Sequence, residues 1–121
     1  MKFIINREHL FTPLQHIVNV IEKRQTMPIL SNVLMKTVKE GLILTGSDLE
    51  VQLVGKILID TTELDQVTVP ARKFLDICRL LPADADISIE LQHEKLKINS
   101  GRSRFMLSTL DAEHYPEFNE N

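Results

Sequence analysis

The stretch VTVPARKFLDICRLLP (67–82), followed by DISIELQ (86–92), KLKIN (95–99) and RFMLSTL (104–110), decides the fold. VTV is a short β-branched strand, and Pro70 suits the first position of a helix. Phe74, Ile77, Cys78 and Leu81 then recur at helical spacing, and Pro82 stops the helix. In DISIELQ, Ile87, Ile89 and Leu91 alternate with polar residues, as a half-buried strand requires. KLKIN and RFMLSTL read as two further strands. The unit is therefore a strand, a helix and three strands.

The same order occurs earlier in the chain. KFIIN (2–6) reads as a strand and Asn6 as a helix N-cap. Leu10, Leu14, Ile17, Val18 and Ile21 line one face of a helix over 7–21, with Pro13 expected to bend it. KRQTMP (23–28) reads as a loop, and 29–38, 41–45 and 49–59 read as strands. TTELDQ (61–66) is a polar connection. Phe3, Ile5, Leu10 and Phe11 superpose on Val67, Val69, Phe74 and Leu75. Leu42, Leu44, Val51 and Leu53 superpose on Leu96, Ile98, Phe105 and Leu107 with about ten residues fewer between helix and strands. The expected fold class is α+β: a single domain over 1–121 with an internal repeat of about 1–60 and 61–121. Each half has one helix and a small antiparallel sheet. Neither half buries enough apolar surface to fold alone, so the two helices are expected side by side on an antiparallel sheet layer.

Composition narrows the function. In 121 residues, 43% are hydrophobic and 26% charged, which is a globular balance. Fourteen Lys and Arg stand against 17 Asp and Glu, a formal charge of −3. Bulk positive charge is therefore not the expected means of holding nucleic acid, but a local basic face is allowed. The one cysteine, Cys78, allows no intrachain disulfide and no Cys-rich metal framework. MKFIIN imitates a signal peptide until Arg7, Glu8 and His9 interrupt it. No apolar run reaches a membrane span, and the expected location is the cytoplasm.

Chemistry-bearing motifs are missing. No GxxxxGK[ST] or GxGxxG loop occurs, and the serines lack a nucleophile elbow. His9, His16, His93 and His114 show no ligand spacing, and Cys78 falls on an apolar helix face. Asp48 and Glu50, placed on one strand face, have no evident third oxygen ligand. The chain is expected to be non-catalytic, without cofactor or metal.

Charged faces remain. On the first helix His9, Thr12, His16, Asn19 and Lys23 form a stripe free of carboxylates. On the second, Arg72, Asp76 and Arg79 share a face with Lys73 beside it. Arg24 follows the first helix. Such faces are either solvated, with Asp76 paired to Arg72 and Arg79, or approach phosphates without reading bases. In the last strand Arg102 and Arg104 occupy the repeat positions of Asp48 and Glu50. Phe105 and Leu107 either fill the core or join the arginines on a docking edge.

MKFIINREHL (1–10), TMPILSNVLM (26–35), LTGSDLEVQL (44–53), VPARKFLDICRLLP (69–82) and SGRSRFMLSTLDAEHYP (100–116) together resemble the first domain of the bacterial sliding clamp, the beta subunit of DNA polymerase III. The resemblance covers essentially the whole chain. It implies a DNA-clamp domain, the first of three, in a homodimeric head-to-tail ring around duplex DNA. Helices would line the hole, and the ring would act in DNA replication as a processivity factor. The resemblance turns Arg24, Arg72, Lys23, Arg79 and His16 toward DNA. It places Lys73, Arg102, Arg104, Phe105 and Leu107 against the third domain of a second subunit. DNA polymerase and the clamp loader would bind a groove between the second and third domains. The chain ends at YPEFNEN, where the resemblance places the passage to a second domain. The expectation is an isolated first domain that folds but neither closes a ring nor binds those peptides. A rival expectation is a small protein-interaction domain that docks through its last edge strand and has no DNA role.

Overall fold

A computed structural model describes residues 1–21 and 27–116. The first half contains β1 (Lys2–Asn6), α1 (Arg7–Val20), a 3-10 turn (Pro28–Ser31), β2 (Asn32–Val38), β3 (Gly41–Ser47) and β4 (Gln52–Ile57). The second contains β5 (Asp65–Pro70), α2 (Ala71–Leu80), β6 (Asp86–Gln92), β7 (Lys95–Ser100), β8 (Ser103–Ser108) and a 3-10 turn (Ala112–His114). The strand-helix-three-strand order thus occurs twice.

The sheets are built differently from the expectation. There are two antiparallel four-stranded sheets, ordered β1-β6-β7-β8 and β4-β3-β2-β5. The first strand of each half has left its own three strands and joined those of the other half. Phe3 and Ile5 pair with Ile89 and Ile87, and Val67 and Val69 pair with Met35 and Val33. These are equivalent registers under the repeat. All eight side chains are buried, so the exchange builds the core at both crossings.

Helix α1 begins where Asn6 caps it, its side-chain oxygen accepting from Glu8 N–H at 2.9 Å. Leu10, Leu14 and Ile17 are fully buried, each contributing about 1.5–3 kcal/mol by leaving water. The helix continues through Pro13, whose ring lies against β4. A Cβ at Gly55 would stand 3.1 Å from the Pro13 Cβ. Helix α2 starts one residue later than expected, at Ala71, with Pro70 at the N-cap.

The helices pack against each other and against the sheets. Arg7 reinforces this contact. Its Nε donates to the Cys78 carbonyl at 2.9 Å, satisfying a last-turn acceptor of α2, and its guanidinium lies 4.1 Å from the Phe11 ring centroid. Met1 is buried, and its ammonium pairs with Glu63 at 2.8 Å and Asp65 at 3.4 Å. On the outer face of the second sheet, Ile29, Leu34, Ala112 and Tyr115 form a small separate cluster. The Tyr115 hydroxyl donates to the Thr45 carbonyl, and Asn32 Nδ2 donates to Thr68 Oγ1.

Several expected boundaries move. Residues 29–31 belong to a 3-10 turn, because Pro28 opens it and Leu30 N–H donates to the Met27 carbonyl. The strand expected over 49–59 begins at Gln52. Asp48 and Glu50 lie in the preceding turn, not on a strand face. Asp48 Oδ1 accepts from Glu50 N–H at 2.9 Å and Val51 N–H at 2.7 Å, an Asx turn whose carboxylate is occupied by backbone.

Gly46 lies under α1, where a Cβ would overlap Ile17 Cγ2. Gly46→Ala is expected to lower the unfolding free energy by about 1–3 kcal/mol in a urea titration. Gly101→Ala, with nothing within 4 Å but a φ of +57, is the control, expected to cost about 1–2 kcal/mol from the left-handed backbone alone.

Candidate nucleic-acid and subunit interfaces

The alternation that buries Leu10, Leu14, Ile17 and Val18 turns His9, Thr12, His16 and Asn19 outward, and all four are exposed. His9, Thr12 and His16 line a groove whose other wall is Gly55–Leu58 of β4 and its end, with Lys56 among them. The stripe therefore overlooks an edge strand. Lys23 and Arg24 lie outside the described residues.

On α2, Arg72, Lys73, Asp76 and Arg79 are exposed. Asp76 pairs with Arg79, Oδ1 to a terminal guanidinium nitrogen at 3.3 Å, an exposed i,i+3 pair of small energetic weight. The expected second pair, Asp76 with Arg72, is not formed among the described residues. The two ends of the molecule's helices differ in electrostatics. Helix α1 follows the dipole preference, with Asn6 as cap and Glu8 in its first turn. Helix α2 violates it: no side chain caps it, no acid stands in its first turn, and Arg72 and Lys73 occupy that turn. Two cations and the positive end of the dipole are thus superposed.

Among the described residues strand β8 is the edge of its sheet, paired with β7 along 103–108. Leu110, just past its end, bridges back to Thr68 of β5. Arg102 and Arg104 are exposed, and Phe105 is half-buried against the core. Leu107 is only 6% exposed and fills the core opposite Leu96, so its own side chain offers little surface. Lys73 sits on α2, not on this strand. Beside the start of β8, Leu80, Pro82, Asp86, Gly101 and Arg102 line a shallow depression.

Two exposed side chains were missing from the sequence reading. Met106 is 60% exposed and Leu80 74%. Strand parity carries the signal for Met106: once Phe105 and Leu107 point inward, Met106 points outward. Helical spacing carries the signal for Leu80: with Phe74, Ile77, Cys78 and Leu81 on the apolar face, Leu80 falls off it.

Cys78 is buried in the main core in the last turn of α2, and burial, opposed by the nearby Arg7 charge, raises its thiol to about 11. It packs, and does not act as a nucleophile. Among the described residues no three His, Cys, Asp or Glu side chains converge to hold a metal ion. No described helix is long and apolar enough to cross a membrane.

Two helices laid on two antiparallel four-stranded sheets with exchanged first strands make an α+β domain, with outward basic positions at one helix end and one strand edge. The family described as DNA polymerase III beta subunit, N-terminal domain, matches residues 1–119, and the chain belongs to that family. The beta sliding clamp of Pseudomonas aeruginosa is 50% identical over 121 residues, 99% of this chain and 33% of that protein. The beta sliding clamp of Escherichia coli is 46% identical over the same shares. A crystal structure of Caulobacter crescentus pol III beta superposes with a TM-score of 0.95 at 35% identity, covering 100% of this chain and 33% of that one. The chain spans about a third of the length of these relatives and corresponds to their N-terminal domain.

The raised Cys78 thiol sets a pH window. The folded state resists losing this proton, so its contribution is full below the ordinary value of 9.0 and is lost as pH rises toward about 11. Unfolding titrations are expected to show a decline across that window that exceeds the decline of Cys78→Ala by on the order of 2 kcal/mol.

Proposed function

We propose that this chain serves as the first of three domains in a replicative sliding clamp, a non-catalytic ring that encircles duplex DNA and tethers DNA polymerase in the bacterial cytoplasm. The observation that carries the reading is the open helix layer with Arg72 at an uncapped, acid-free helix end, in a chain of the clamp family.

Arg72, with Arg79, His16, Lys23 and Arg24, faces the DNA. These groups attract phosphate through solvent and carry no base readout, so the duplex stays centred and the ring slides. Lys73, Arg102, Arg104 and Phe105 meet the third domain of a second subunit, with Leu107 supporting Phe105 from the core. β8 offers that neighbour an unpaired row of backbone N–H and C=O groups, and the two arginines select an acidic edge. Retention is topological: the ring need not grip, because it encloses. A polymerase held on the ring has a high effective concentration at the primer end. Polymerase and clamp-loader peptides occupy a groove between the second and third domains. The 121-residue chain alone therefore neither encircles DNA nor captures those peptides.

In the full-length protein, Arg72→Ala is expected to weaken DNA association uniformly across sequences and to lower the slope of log affinity against log salt by about 1. Arg24→Ala is expected to act in the same direction. Unchanged affinity and unchanged slope for both variants would favour the rival reading of an edge-docking domain without a DNA role. The isolated 121-residue chain is expected to wash off nicked circular DNA in high salt, and its retention there contradicts the proposal.

A further inference from the structure

The two sheets are related by the repeat, yet their outer faces differ. The second carries the Ile29, Leu34, Ala112 and Tyr115 cluster. The first is bare among the described residues. Its inward positions, Phe3, Ile5, Ile87, Ile89, Leu96, Ile98 and Leu107, are buried in the main core together with the helix residues, so its outer face points away from the helix layer.

The register places the outward residues in rows. Lys2, Glu90, Lys97 and Met106 form one row, and Ile4, Ser88, Asn99 and Arg104 the next. Gln92, Lys95 and Ser108 form a third. Lys2, Lys95, Lys97 and Arg104 thus share one face, with Arg102 in the turn at its rim. The acids there are Glu90 between two lysines, Asp86 at the strand start and Glu94 in the hairpin turn. Glu90 Oε2 already accepts from Gln92 Nε2 at 3.1 Å. Lys95 Nζ donates to Ser108 Oγ at 2.8 Å. Among the described residues none of these four cations forms an ion pair. The face is net positive on a chain of formal charge −3. Two large apolar side chains stand in it uncovered, Ile4 at 67% and Met106 at 60% exposure.

We infer that this face is a docking surface for an acidic segment of a partner protein that also carries apolar residues. An extended segment repeats its side-chain direction every second residue, about 7 Å. That is the spacing of Lys95 and Lys97 along β7, so alternate carboxylates meet successive lysines. Met106, opposite Lys97 in the register, offers adaptable apolar contact to a hydrophobic residue on the same side of the segment. A phosphate backbone has no use for that apolar contact. The ring reading uses only the Arg102 and Arg104 rim of this face; Lys2, Lys95, Lys97, Ile4 and Met106 lie outside that use.

The test is a titration of the 15N-labelled 121-residue chain at low salt with a short synthetic peptide whose every second residue is Glu or Leu, with Ser between them, so that both kinds of side chain share one side of the extended segment. The expected amide shifts fall within 2–4, 88–92, 95–99 and 104–108. The double variant Lys95→Gln with Lys97→Gln is expected to weaken binding about tenfold. If that variant loses its dispersed spectrum, Lys2→Gln with Met106→Gln is read in its place, with the same direction expected. A short random-sequence duplex at equal concentration is expected to leave these amides unmoved. Shifts confined to the helices, absence of shifts, undiminished binding by the folded variant, or a duplex that moves the same amides would each overturn the inference.

Discussion

The exchange of first strands between the two halves is the constraint on which the rest of the molecule depends. β1 completes the sheet of the second half through Phe3–Ile89 and Ile5–Ile87, and β5 completes that of the first through Val67–Met35 and Val69–Val33. Each helix follows directly on an exchanged strand: α1 begins at Arg7 after Asn6, and α2 at Ala71 after Pro70. A helix leaving a strand already committed to the other half must cross the middle of the molecule. Both helices therefore meet there, and Arg7 fastens the start of one to the Cys78 carbonyl near the end of the other. Two small three-stranded pieces, each short of a stable core, become one unit.

This construction separates duties among surfaces. The inner faces of sheets and helices are spent on the core, so partners must use outer helix faces, sheet edges or outer sheet faces. In the proposed ring these go respectively to DNA, to the neighbouring subunit and to an acidic protein segment. Charge follows the same division. A chain of formal charge −3 can still present cations to DNA, because potential near a surface depends on which side chains share that surface within a Debye length. The first turn of α2 concentrates Arg72 and Lys73 on a dipole end that repels them, a cost that a free-standing helix would avoid.

Much of the architecture was legible because periodicity directly reports which side is buried. The Leu10, Leu14, Ile17 pattern, the Ile87, Ile89 alternation and the Asn6 cap translate into structure without help from distant residues. Strand exchange was not legible. Alternation says which face of a strand is apolar and nothing about which strand lies beside it, and β1 fits either three-stranded piece by pattern alone. The short turn at Pro28–Ser31 was read as strand because Ile29 and Leu30 look apolar in any local structure. Asp48 looked like a free carboxylate because its partners are backbone N–H groups, which sequence does not display. In the candidate site, the exposure of Arg72, Lys73, Arg102 and Arg104 followed from helix and strand parity. The burial of Leu107 and the exposure of Met106 follow from the same parity, but assigning Leu107 to one role requires knowing that β7 supplies Leu96 opposite it.

The most direct test of the exchanged architecture is to produce residues 1–60 and 61–121 as separate peptides and record their amide spectra alone and mixed. The account predicts collapsed, undispersed spectra for each peptide and a dispersed spectrum, matching the intact chain, on mixing in equal amounts. A dispersed, cooperatively melting spectrum from either peptide alone would contradict it, because that half would then have closed its sheet with its own first strand.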